Sequence, residues 1–567
     1  MKAMRFLASL IVILSAGLAL PHEAHATPKS PPLHHTRLLK PVHANGVNQD
    51  SYSFLVLNET NYLWSDGHGD ETLDQTLLGL STPGASDTTW CFDWDSGAYS
   101  NIRANDDSGP LTVNYYTDPS NSSGVCADVD FRYEVDTGEQ YHFILYITIG
   151  GMASGSAPDW EANWYTEVGG GIGRFLETLT LPSSSTITSV SPTPASRSAN
   201  VITWEMDDTS PGDQISIDVT YTVSNTMTVQ PLLQGQYPCT GPQPSSIPWA
   251  NDLYAWHKAN ETPPGTICEW GCYLTSAAML VNYRAQADNT QPSAPVFQTD
   301  PGALNQQLEG LDGYDSDNGV DPLKVASYAQ RAPASLHLYY AGAISSRNDT
   351  ILTQYLQSGD PVILGVDPTT CITNGRSVPC SGHWVLATGI TVENGTSTFQ
   401  IDDPVWGQTT LLDHHANTYR EMRLFTNVPI NQTLLTIGAF SPVELLVTDP
   451  QGRTTGFDPA TDTTLDEIPG SSYLIEGISP IDGSAPDQVS KSVEIDAPSD
   501  GSYQIQIIGT GAGPYTVSAV GANWNGQVTT SSTTGVAQVG SSQVVSVTYT
   551  AAQGLAASVL YLPLISR

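Results

Sequence analysis

At 567 residues the chain is long enough for about three or four domains. Its 20 Lys+Arg against 57 Asp+Glu give a formal charge of −37 with no basic stripe, which argues against nucleic acid as a partner and fits a solvated acidic surface. With 49 Gly, 39 Pro and abundant Ser and Thr, yet 39% hydrophobic residues and 12 Trp, the composition calls for many short strands and turns around real cores.

Lys2 and Arg5 precede an apolar run over 6–20 that is too short for a comfortable membrane span. Small residues at Ala24 and Ala26 complete a secretory signal peptide over 1–26, so the mature protein is expected to be exported. Residues 27–50, rich in Pro and His, read as a linker. From 51 to 226 strand signals dominate, clearest at 52–57, 141–149 and 215–223, and are separated by Asp/Gly/Ser/Pro turns, as in a β-sandwich. The acidic loops at 66–70 and 106–109 have calcium-like composition but read more simply as solvated turns. Residues 227–246 carry Pro231, Pro238, Pro242 and Pro244 and read as a linker between domains.

The stretch 247–427 alone mixes helix and strand signals. Leu274, Ala277, Ala278 and Val281 recur at helical spacing. That puts Cys272 in the first turn of a helix, where unpaired N–H groups and the helix dipole favour a negative sulfur. Further helical patterns cover 303–308, 322–330 and 348–357, with Asp321-Pro322 as a helix start. Buried strands are expected over 360–366, over 382–390 and from Phe399 to Pro404. Beyond about 439 the chain returns to β patterns, giving a second sandwich over 435–520. A Ser/Thr/Gly-rich segment and an apolar tail, 521–567, follow; the tail is too short and too broken by Pro563 to span a bilayer.

Seven cysteines in an exported chain leave one thiol over. Local pairing joins Cys91–Cys126, Cys239–Cys268 and Cys371–Cys380 and leaves Cys272 free. A Cys268–Cys272 bridge is the competing arrangement, and it would remove the nucleophile. A thiol hydrolase also needs an imidazole and a group that orients it. His383, after Gly382 at the mouth of an apolar strand, is the candidate base. Asp402 and Asp403 lie on the next strand, and alternation turns only one of them toward His383. Asp403, at the strand end before Pro404, is preferred.

Gly271-Cys272 with 275–279, then 359–363, then 382–385, then Asp403-Pro404, resemble in that order the papain-like peptidases related to the double-glycine leader (bacteriocin-processing) peptidases. The resemblance implies a papain-like fold with Cys272 as nucleophile, His383 as base and Asp403 as orienter. That family uses a Gln as oxyanion donor some twenty residues before the Cys, just ahead of a Trp; here Asn251, before Trp256, stands at that place, and its amide can donate the same bond from a shorter arm.

The chain is therefore expected to be multidomain. An α+β papain-like cysteine peptidase domain, 247–427, is flanked by N- and C-terminal all-β sandwich domains, 51–226 and 435–520. It is expected to be secreted, to act on protein or peptide substrates, and to need no cofactor or metal. Cell-surface or cell-wall contact falls to the sandwiches. Two other readings stand beside this one: a cell-wall peptide amidase and a catalytically idle adhesin. No Gly-x-Ser-x-Gly elbow or His-Glu-x-x-His motif is present. The His414-His415 doublet reads as exposed, and the acidic run 312–321 does not match the twelve-residue calcium loop.

Overall fold

The computed structural model describes residues 34–39, most of 52–556 and 560–561; the longest gaps within 52–556 are 256–264 and 477–489. The expected signal segment 1–26 lies outside the described residues. Among those residues no helix is long and apolar enough to cross a membrane.

Strands between 34 and 223 join in one 15-stranded sheet that folds back on itself through the hairpin formed by Tyr99–Asp106 and Gly109–Thr117. The alternation along Gly69–Gly79 is strict, every second residue being buried, because one face of this strand meets the opposing half of the sheet. Trp90 from that half donates its indole N–H to Gln75 at 3.1 Å. Within the stretch expected as a linker, His34–Leu39 forms a strand between Asp159–Glu167 and Ala85–Asp93.

The residues after this sheet run along the central unit rather than away from it. Met227 N–H donates to the Thr388 carbonyl and Gln234 N–H to the Pro404 carbonyl. The Cys239–Cys268 disulfide pins the same segment, and Cys91–Cys126 links paired strands of the N-terminal sheet. Cys272 is free and buried. The side chains of Cys371 and Cys380 lie outside the described residues.

The central unit packs helices against a six-stranded antiparallel sheet. Its order is Tyr339–Ile344, Glu421–Thr426, Val362–Thr373, Arg376–Glu393, Thr396–Asp403, Gly407–Thr410. The helix Cys272–Ala287 is buried on all sides over its first ten residues, so it runs through the core instead of lying on it. Asp300 and Asp321 cap the helices Pro301–Gly310 and Pro322–Gln330 by accepting from Ala303 and Leu323 N–H groups, each with Pro in the first turn. Gly359, at φ 81°, ends Asp349–Ser358 in the left-handed conformation that favours Gly.

From 434 onward a five-stranded and a seven-stranded sheet enclose a third core. Val528–Ala537 and Ser542–Thr550 belong to these sheets, although their Ser/Thr/Gly content suggested a non-core segment. Along Ser542–Thr550, Val545, Val547 and Tyr549 face inward at every second position, and composition hides that alternation. Tyr62 and Trp64 from the first unit and Leu434, Val520 and Ala522 from the last join the central core.

Candidate active site

The site begins with a short helix, Ile267–Trp270, whose capping box is complete: Glu269 accepts from the Thr266 N–H at 3.1 Å. Gly271 separates it from Cys272–Ala287. A Cβ on Gly271 would meet the Ile267 carbonyl oxygen at 2.5 Å, so close chain approach requires Gly there. Cys272 thus opens a helix with its own N–H among the first-turn amides that lack an intrahelical partner.

The residues that follow Cys272 and His383 hold the two in register. Tyr273 packs edge-on against Trp384 at 5.0 Å, and Ser276 Oγ donates to the Trp384 carbonyl at 3.3 Å. The Arg423 guanidinium lies over the Trp384 ring, 5.0 Å from its centre. His383 faces the Cys272 sulfur closely enough for its charge to be felt, and its Nε2 lies 3.0 Å from Asp403 Oδ1. Nδ1 is then the ring nitrogen left for the sulfur. Burial alone would lower the pKa of His383; the Asp403 carboxylate and the Cys272 sulfur outweigh it and raise that pKa well above the usual value.

Asp403 is fully buried. Its Oδ1 accepts from His383 and from the N–H groups of Val405 at 2.6 Å and Trp406 at 3.3 Å; its Oδ2 lies 2.9 Å from His415 Nε2. Burial would raise its pKa, but the His383 charge and these donors hold the carboxyl well below the ordinary range. Asp402, its chain neighbour, is equally buried, and neither of its oxygens has a hydrogen-bond partner among the described residues. Burial lifts its pKa to about 7. Of the two candidates, Asp403 is the one that meets His383.

Asn251 ends the 3₁₀ turn Pro248–Asn251 and is exposed; Trp256 lies outside the described residues. Gln234 is buried instead. Its Nε2 donates to the Cys268 carbonyl at 2.7 Å and its backbone N–H to Pro404 at 2.9 Å, so it ties the chain before Cys272 to the chain after Asp403. The expected spacing to Cys272 hid it, because the Pro-rich loop bridged by Cys239–Cys268 intervenes. His415 is the other residue missed. The doublet expected to be exposed divides: His414 stacks on the exposed Trp406 at 5.0 Å, while His415 turns inward to Asp403. The helical pattern of Leu411–His415, capped by Thr410, carried the signal, since successive helical residues point about 100° apart. Of the calcium-like loops, Asp106 is taken by Arg132, whose Nε donates at 2.9 Å.

Residues 252–424 match the Peptidase_C39 like family. The match relates this part of the chain to a class of cysteine peptidases, hydrolases that act on proteins or peptides. No curated protein matches the chain. Among solved structures it is similar to the M1 zinc metallopeptidase from Deinococcus radiodurans, at 11% identity and a TM-score of 0.20, over 36% of this chain and 53% of that one. It is similar also to native yeast LTA4 hydrolase, at 7% identity and a TM-score of 0.20, over 34% and 33%. The chain spans about half or less of these structures, and likenesses so slight assign no function.

Proposed function

We propose that the protein is a secreted cysteine peptidase of papain-like type that hydrolyses peptide bonds through Cys272, His383 and Asp403. The observation that carries this reading is a free, buried thiol at a helix start, held beside His383 by the Tyr273–Trp384 contact, with His383 in turn 3.0 Å from the buried Asp403. In the reaction the Cys272 sulfur attacks the peptide carbonyl carbon. His383 gives its proton to the departing amine as the C–N bond breaks, and water, deprotonated by His383, hydrolyses the thioester.

The oxyanion is held by the Cys272 N–H and a side-chain amide. Gln234 is proposed for this beside Asn251, because its Nε2 donates to the Cys268 carbonyl just before Cys272 and an amide nitrogen carries a second proton. Gln234→Ala is expected to lower kcat about a hundred- to a thousandfold, while Asn251→Ala stays near wild type. The reverse result restores Asn251 to the role.

The class of reaction is tested by alkylating the non-reduced protein and by cleavage of a peptide library. Labelling at Cys272, with cleavage lost in Cys272→Ala and His383→Ala, supports the peptidase. Cleavage confined to cell-wall peptides would make it an amidase of those cross-links, and an unreactive Cys272 without cleavage would leave a binding scaffold.

A further inference from the structure

We propose that His415 is a positioning residue that holds Asp403, and through it His383, in the orientation the thiol chemistry needs. The inference rests on the peptidase reading above and adds a fourth residue to its site. Leu411–His415 is a single helical turn whose start is pinned by Thr410 accepting from the Asp413 N–H at 3.1 Å, and by Leu412 N–H donating to Thr398 at 3.1 Å. It ends at Ala416 and Asn417, both with positive φ, and Asn417 is tied back by its bonds with Thr398 and Ser397. A turn held this firmly delivers the His415 ring to one place. That place is Asp403 Oδ2, at 2.9 Å, with the His415 side chain 2% exposed.

Asp403 has two oxygens, and a carboxylate held on one side only can rotate about its Cβ–Cγ bond. His383 and two backbone amides occupy Oδ1; His415 Nε2 occupies Oδ2. The His415 bond therefore opposes rotation and draws charge toward the oxygen away from His383. The titratable groups facing His415 are Asp403, His383 with ring centres 5.9 Å apart, and His414 at 6.4 Å, beyond which Asp413 pairs with His414. Without this donor, Asp403 takes up a proton more readily, and His383 loses both its fixed orientation and its counter-charge as the pH falls.

The test compares His415→Ala with His415→Gln, which keeps an N–H donor at similar reach. Three measurements are made on the full chain: kcat and KM against pH, the pH dependence of Cys272 alkylation by iodoacetamide, and an NMR titration of the His383 ring in Cys272→Ala. For His415→Ala, kcat should fall about tenfold or more with KM nearly unchanged, and the acid limb of kcat and of alkylation should move to higher pH. His415→Gln should restore most of the rate and the limb. If His415→Ala lowers the melting temperature but leaves the limb, the alkylation profile and the His383 titration where they were, His415 is only structural and the proposal falls. If the wild type neither cleaves nor labels, the peptidase reading fails. The His383 titration still decides on His415 in that case: a change on removing it sustains the positioning role, and no change ends it.

Discussion

Asp403 and Glu59 are both completely shielded from solvent, yet what faces them is opposite in kind. Asp403 meets two imidazoles and two backbone N–H groups. Glu59 lies in the N-terminal sheet directly beside Glu177 on the paired strand. Between them is the Asn61 amide, donating at 3.2 Å to Glu59 and 2.8 Å to Glu177; Thr166 adds a hydroxyl at 3.2 Å from the opposing half of the sheet. Neither Glu59 nor Glu177 has an ion-pair partner among the described residues. Burial therefore raises Glu59 to about 7, its few hydrogen bonds offsetting only part, and raises Glu177 well above its usual value with the Glu59 charge adding to it. The same burial at Asp403 is overridden by donors and a cation. Burial alone does not decide whether an acid is charged inside a protein; the charges and donors that face it do. Asp402 shows this within one peptide unit, being buried like Asp403 but turned to the other side.

The comparison can be broken most severely at Asp403. Asp403→Ala leaves His383 and His415 facing an empty space, and should lower kcat/KM by about a hundredfold or more and destabilise the fold by about 3–5 kcal/mol. Steady-state kinetics and denaturant unfolding check both, and a variant with near-wild-type rates would remove Asp403 from the mechanism.

At Glu59 the opposite sign is expected. Its folded pKa lies above the unfolded value, so between about pH 4.5 and 7 the folded state keeps a proton that the unfolded chain gives up. Stability from this group therefore declines as pH rises through that window. Glu59→Gln should make the protein more stable at pH 8 by about 1–3 kcal/mol and flatten the dependence on pH. Melting curves at pH 5 and 8 are the measurement, and a Gln variant less stable at pH 8 would show that the charge is compensated. Asp403 runs the other way: its depressed pKa contributes stability above the ordinary carboxylate range that is lost as the solution is acidified.

The smallest effect is expected at Asp402. Asp402→Asn removes a charge that nothing pairs, so at pH 8 stability should hold or rise by about 1 kcal/mol and kcat/KM should change less than about twofold. A loss comparable to that of Asp403→Ala would mean that the two carboxyls share the role.

Much of the central unit was legible because its signals are local. Helices expected over 303–308, 322–330 and 348–357 correspond to Pro301–Gly310, Pro322–Gln330 and Asp349–Ser358. The strand expected over 360–366 begins two residues later, in Val362–Thr373, and the one expected over 382–390 lies within Arg376–Glu393; both run further than expected because the two strands pair along their length. The strands beyond 521 were missed because Thr and Ser on their exposed faces diluted the count of apolar residues while leaving the alternation intact. The linker signal of 227–246 was read from its prolines, yet proline excludes regular structure without excluding packing, and this segment lies against the core through Met227 and Val229.

Sequence by itself determined where Cys272 falls on a helix, which strands carry His383 and the two aspartates, and that a thiol is left over, because each of these depends on residues within a few positions or on a simple count. The tertiary structure decided that Asp403 rather than Asp402 meets His383, that His415 occupies the second oxygen, that Gln234 rather than Asn251 is buried between the Cys272 and Asp403 segments, and which buried acids are pushed toward their neutral form. A hydrogen bond or a counter-charge is supplied by whatever the register and the packing bring across from elsewhere in the chain. No periodicity along one strand records what stands opposite it.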